Sequence, residues 1–169
     1  MSKITVAIST FNRPDTVIET VSNLRNIPNL INVNDSDKTL AKELKDKGLR
    51  VVAAKEPQLF WQGMSTLIKE SRTEWLLISS DEDSVIVEEL PDLEKFAIEK
   101  KAGVVACPVY NRGLVKPWPS SWADRLTVDE PLGPSSFHDI SGYISGTLIH
   151  RESALKYLPY IERLAPENE

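Results

Sequence analysis

The sequence predicts an α/β fold, with a mainly parallel central sheet and helices on both of its faces. Short β-branched runs alternate with stretches of helical apolar spacing along most of the chain, and strands joined through helices are crossover-connected, which makes neighbours parallel. Those strands run out into polar, turn-forming clusters rather than into tight hairpins. With 169 residues, 41% of them apolar, the chain has enough material for one hydrophobic core, so it reads as a single domain over residues 1–169.

Lys3-Ile-Thr-Val-Ala-Ile-Ser-Thr10 is the first strand and stops at Asn12-Arg-Pro14. Pro14 and Asp15 suit a first helical turn, and Val17, Val21 and Leu24 supply its apolar stripe. Leu30-Ile-Asn-Val33 is the second strand, closed by Asn34-Asp-Ser-Asp37. Leu40, Ala41 and Leu44 then mark a helix that Gly48 ends. Arg50-Val-Val-Ala-Ala54 is the third strand. A helix over Gln62–Ser71 turns Met64, Leu67 and Ile68 inward and leads to the strand Trp75-Leu-Leu-Ile-Ser79, which ends on Ser80-Asp-Glu-Asp83. Leu90, Leu93 and Ala97 mark the next helix, and Gly103–Pro108 the next strand. From Val109 to Phe137 no period is visible, and Pro117, Pro119, Pro131, Pro134, Trp118 and Trp122 crowd together, which predicts a long functional loop or lid. Tyr143–His150 reads as a returning strand in which Gly142 and Gly146 permit close backbone approach. A short helix over Glu152–Tyr157 follows it.

Composition excludes several classes. A formal net charge of -5, spread along the chain, leaves no basic footprint for nucleic acid. One cysteine, Cys107, forbids an internal disulfide, and with two histidines it forbids a Cys/His zinc cluster. No stretch approaches the roughly 18 apolar residues of a membrane span. These features predict a cytoplasmic protein without a transmembrane segment.

In an open parallel sheet a ligand lies beyond the carboxyl ends of the strands, where strand order reverses. Three such ends carry chemistry: Thr10-Phe-Asn-Arg13, Asn34-Asp35 and Asp81-Glu-Asp83. Asp81 and Asp83, two apart on an extended segment, would face the same way, and a divalent cation relieves the repulsion of paired carboxylates. Oxygen donors suit Mg²⁺ or Mn²⁺, with phosphates and water completing the shell. The alternative is an acidic loop capping the next helix. Phe11 either stacks on a base or joins the core. Arg13 either pairs with phosphate or is a solvated surface cation. Asp35 either accepts from a base or ribose, or makes an Asx-turn.

Ile4-Thr-Val-Ala-Ile-Ser-Thr-Phe-Asn-Arg-Pro14 resembles the opening strand and turn of the family 2 glycosyltransferases. Val33-Asn-Asp-Ser-Asp-Lys-Thr39 is similar to that family's second segment, with Asn34 where the family usually has Asp. Gln62-Gly63 sits where the family often has Asn-x-Gly, and Glu74–Asp83 is similar to the strand that ends in its Asp-x-Asp motif. Gly142–Arg151 looks like its acceptor-side strand. The resemblance spans roughly residues 3–158 and implies a Rossmann-like GT-A fold, with residues 1–108 as the nucleotide-sugar half and 109–169 as the acceptor half. It implies a nucleotide-sugar donor, commonly a UDP-sugar, a glycan or other hydroxyl acceptor, and inversion of the anomeric centre. Phe11 would then stack on the base, with Thr10, Asn12, Arg13 and Gln62 also on the donor. Asp35 would bond the base, Asp81 would touch the ribose or a metal-bound water, and Asp83 would ligate Mn²⁺ or Mg²⁺.

The family also carries an acidic motif beyond the acceptor strand that supplies a base. Here Glu167 or Glu169 would be that base, or the base is missing. The expected mechanism is a single displacement in which a base deprotonates the acceptor hydroxyl and a cation neutralises the departing diphosphate. Candidate bases are Glu167, Asp139 and Asp124; Trp118, Trp122 and Tyr143 are candidate acceptor aromatics, and His138 and His150 candidate extra ligands. A haloacid-dehalogenase reading of Asp81-x-Asp83 fails because that motif belongs on a first strand with more chain behind it. The rival from another class is a GT-A-like module that binds a nucleotide or glycan without catalysis.

Overall fold

The computed structural model describes residues 2–34, 38–108, 123–127 and 145–164. Strand β1 (Ile4–Thr10) leads through α1 (Pro14–Thr20) and a 3-10 turn, Val21–Asn23, to β2 (Asn29–Val33). Next come α2 (Thr39–Asp46), β3 (Val51–Ala53), α3 (Phe60–Glu70) and β4 (Trp75–Ser79). A 3-10 turn at Val87–Glu89 opens α4 (Leu90–Glu99), and β5 (Ala102–Ala106), β6 (Ala123–Thr127), β7 (Thr147–His150) and α5 (Arg151–Leu164) complete the described elements.

The seven strands lie in the order β3-β2-β1-β4-β7-β5-β6. β1 pairs in parallel with β2 and with β4, and β2 with β3. β7 runs antiparallel to both β4 and β5, and β6 antiparallel to β5. Strands β1 to β5 therefore all point one way, as the alternation of strand and helix predicts.

The pleat sends alternate side chains to opposite faces. Ile4, Val6 and Ile8 of β1 join Val17, Val21, Leu40, Leu44, Leu90 and Leu93 in a core under α1, α2 and α4. Ala7 of the same strand, with Leu30, Leu76 and Ile149, packs instead against Met64, Leu67 and Ile68 of α3 and Ala154 and Leu158 of α5. The sheet is thus covered on both faces.

Two differences from the sequence reading concern β6 and the last helix. Strand β6 lies inside the stretch expected to be an irregular loop or lid; its Ala-Asp-Arg-Leu-Thr sequence has no apolar period, and it is set by pairing with β5 across two register shifts. Helix α5 runs past Pro159 to Leu164 instead of ending near Tyr157. A proline inside a helix removes one ladder bond, and contacts beyond it offset that loss: Glu162 Oε1 accepts hydrogen bonds from Ser65 Oγ at 2.5 Å and Lys69 Nζ at 2.6 Å on α3.

Helix α3 sits very close to the sheet at Gly63, where an added Cβ would lie 3.0 Å from both Ser9 Oγ and Asn32 Nδ2. Both atoms are held by the 3.3 Å bond between them, so neither can yield freely. Gly63→Ala should therefore lower stability by about 1–3 kcal/mol, as overpacking of a fixed contact does, measured by urea unfolding.

The hydrogen bonds from Lys69 and then Ser65 hold the Glu162 carboxyl below its ordinary range. A depressed folded pKa contributes stability that is present above the unfolded value and lost as pH falls through the folded one. The stability gap between the protein and Glu162→Gln should be constant near neutral pH and close below about pH 4, as read by thermal melts across pH.

Candidate functional site

Strand β1 is flanked by β2, reached through α1, and by β4, reached through α3, so the chain order reverses at the β1/β4 seam. A cleft of about 490 Å³ opens there, lined among others by Thr10, Phe11, Arg13, Asn34, Ser80 and Asp81. That size suits a small-molecule ligand, and its place is the one expected for open α/β sheets.

Asp81 is the centre of the seam, only 7% exposed. Its Oδ2 accepts from Thr10 Oγ1 at 2.8 Å, and Arg13 Nη1 stands 3.5 Å from Oδ1. A buried carboxylate needs such partners. Arg13 also pairs with Glu82, so its guanidinium bridges two acids and is not a lone surface cation. Around Asp81 the loop is pinned from several directions. Thr20 Oγ1 donates to the Asp81 carbonyl at 2.9 Å, Asn23 Nδ2 to the Val85 carbonyl at 2.9 Å, and Ser80 N–H to Ser145 Oγ at 3.1 Å. Ser145 comes into reach because Gly146, at φ 81°, turns into β7 with its N–H on the Ile78 carbonyl at 2.9 Å.

The Asp81-Glu82-Asp83 segment is a turn, not an extended stretch: Asp83 N–H reaches the Ser80 carbonyl at 3.4 Å. The argument that residues two apart face the same side therefore does not apply to it. Nor does the segment cap a helix, since neither the Val87–Glu89 turn nor α4 has a side-chain cap. Asp83 is half-buried, and its backbone carbonyl accepts from Ser79 Oγ at 3.4 Å. No described residue pairs with its carboxylate.

Phe11 is 52% exposed and lines the cleft, which removes the core alternative. Asn12 adopts a left-handed φ of 54°, a conformation asparagine tolerates better than most residues; this turn sets Phe11 and Arg13 on the cleft wall. Gln62 stands in the first turn of α3. Its Oε1 accepts from Leu59 N–H at 2.8 Å and closes the first turn of α3, and it is not among the residues lining the cleft.

His150 lies at the far end of the sheet, because β7 starts at the cleft and its last residue pairs with Trp75, the first of β4. Its Nδ1 accepts from Ser153 N–H at 3.3 Å and caps α5. Asp124 lies in β6 opposite Val105, with β5 and β7 between its strand and β4. Asp35, Trp118, Trp122, His138, Asp139, Tyr143, Glu167 and Glu169 lie outside the described residues.

Residues 5–156 match the family model described as glycosyl transferase family 2. The chain belongs to that family. Family membership agrees with the seam geometry, the strand-end motifs and the fold. Among solved structures, S. aureus TarS 1–349 in complex with UDP-GlcNAc superposes with a TM-score of 0.66 at 17% identity, over 92% of this chain and 47% of that one. TarS 1–349 in complex with UDP gives 0.64, again at 17% identity, covering 92% and 48%. The mannosyltransferase PcManGT from Pyrobaculum calidifontis, in complex with GDP-Man and Mn²⁺, gives 0.53 at 18% identity, covering 66% of this chain and 37% of that one. The family 2 chain described here spans about half the length of the TarS 1–349 structures. No curated protein sequence matches it. No helix among the described residues is long and apolar enough to cross a membrane.

Gln58 and Phe60, which carry no motif, line the cleft as well, together with Ser9 of the first-strand motif and Ser145 of the acceptor-side segment. Gln58 and Phe60 had one legible signal, their position between a strand and a helix on the carboxyl side of the sheet.

Removing the Thr10 hydroxyl leaves a buried carboxylate short of a donor, which costs about 1–3 kcal/mol. Thr10→Val should lower stability by that amount in chemical denaturation, whereas Thr10→Ser should keep most of it.

Proposed function

We propose that this chain binds a nucleoside-diphosphate sugar in the β1/β4 cleft and transfers the sugar, with inversion, to a hydroxyl acceptor. The observation that carries the reading is the seam itself. In a family 2 chain the buried, braced Asp81 lines a cleft wide enough for a nucleotide, and Asp83, whose carboxylate no described residue pairs with, follows it in the same turn.

The donor set accommodates a divalent cation. Mg²⁺ and Mn²⁺ sites at phosphates commonly use one or two protein carboxylates, the substrate supplying further oxygens. Among the described residues no three potential metal-binding side chains cluster. Asp83 would hold the cation, while Asp81, engaged by Thr10 and Arg13, would face the ribose or a cation-bound water. A bound cation supplies charge neutralisation of the departing diphosphate. Phe11 would take the base on its exposed ring and Asp35 would bond the base edge. Arg13 would be drawn from the acids toward phosphate by its planar fork. Glu167 or Asp139 would take the proton from the acceptor hydroxyl. UDP is the favoured donor nucleotide, in keeping with the resemblance at Thr10–Pro14 and with the UDP-GlcNAc complex of TarS; the GDP-Man complex of PcManGT makes GDP the comparison to run.

Asp83→Asn should weaken UDP binding in Mn²⁺ by about tenfold or more, about 1.4 kcal/mol, and leave cation-free binding unchanged, as read by calorimetry with and without EDTA. Equal affinity of the two proteins in Mn²⁺ would remove Asp83 from the cation site. Product analysis with UDP- and GDP-sugars checks transfer, and nucleotide binding with no sugar moved in any combination would make the chain a binding module.

A further inference from the structure

The segment that leads into α3 is braced far more heavily than a surface loop requires. Asn34 Nδ2 donates to the Gln58 carbonyl at 2.6 Å and Asn34 Oδ1 accepts from Gln58 N–H. The Gln58 side chain is held as well, its Oε1 by Asn32 Nδ2 at 3.0 Å and its Nε2 on Thr66 Oγ1 at 3.2 Å. Leu59 N–H is closed by Gln62. At the end of these bonds stands Phe60, 45% exposed and lining the same cleft as Phe11. Its ring meets Trp61 edge-on, with centroids 5.0 Å apart.

An exposed aromatic ring costs solvation, and a rigid one has already lost the side-chain freedom that binding would otherwise take from it. Two exposed rings on one cleft, one after β1 and one opening α3, fit a flat apolar ligand group. We infer that Phe60 is a second aromatic wall of the nucleobase subsite and that Asn34 positions it through Gln58. This inference rests on the nucleotide-sugar reading above. It also accounts for the amide at position 34, since a carboxylate there has no N–H to donate to the Gln58 carbonyl.

The test is calorimetric titration of UDP, GDP and inorganic diphosphate, each with Mn²⁺, onto the unaltered chain, Phe60→Ala, Phe60→Leu and Phe60→Trp. Loss of base stacking lowers affinity several-fold or more. The expected result is about a tenfold loss of UDP or GDP affinity in the Ala and Leu variants, recovery to within about twofold in the Trp variant, and inorganic diphosphate unchanged throughout. The Leu variant keeps the apolar bulk should Ala disturb the helix start. Undiminished nucleotide affinity in both Ala and Leu variants would overturn the inference, and so would an equal loss for inorganic diphosphate, which would make Phe60 a structural residue. If the unaltered chain binds neither UDP nor GDP, the nucleotide-sugar reading itself fails and takes this inference with it.

Discussion

The hydrogen bond from Thr10 to Asp81 ties the end of β1 to the loop after β4, and the cleft is organised round it. Both residues are almost wholly buried, so the carboxylate has little water to turn to and must keep its protein partners. Because it is fixed, the turn that follows is fixed, and with it the position of Asp83. The parallel pairing of β1 with β4 makes this possible: Ile8 stands opposite Ser79, so Thr10 at the end of β1 comes level with Asp81, two residues past the end of β4.

A second polar junction lies on the other face of the sheet. Ser9 and Asn32 point toward α3, where the apolar pattern of Ala7 and Leu30 would otherwise continue. Their side chains meet Gly63 and Gln58 in place of a leucine or valine. A buried polar network of this kind specifies one arrangement more sharply than apolar packing does, because each donor must find its acceptor. Here it fixes the height of α3 above the strands and the course of the segment that walls the cleft. The two junctions hold opposite sides of one opening, Asp81 on the α1 side and Gln58 on the α3 side.

Cys107 illustrates the reverse case, a reactive group type with no part in the site. Burial at the end of β5, with Glu89 adding to it against a backbone hydrogen bond at Leu148, pushes its pKa up to about 12. A thiol so placed stays protonated at neutral pH and behaves as a small apolar side chain.

Fold class, strand direction and the residues at the tips of β1 and β4 were determined by the sequence alone, because β-branched runs, helical apolar spacing and turn residues are local signals. The apolar residues of α1, α2, α3 and α4 were legible for the same reason. Tertiary structure alone decided what those tips touch. That Asp81 is buried, that no described residue pairs with Asp83, that His150 sits at the end of the sheet away from the cleft and that Phe60 and Ser145 reach the cleft all depend on contacts between residues tens of positions apart. Strand β6 was hidden in the same way, since a strand without an apolar period exists only through the neighbour it pairs with. No local pattern encodes such contacts, because the partner that gives each side chain its role is brought near only when the chain has closed.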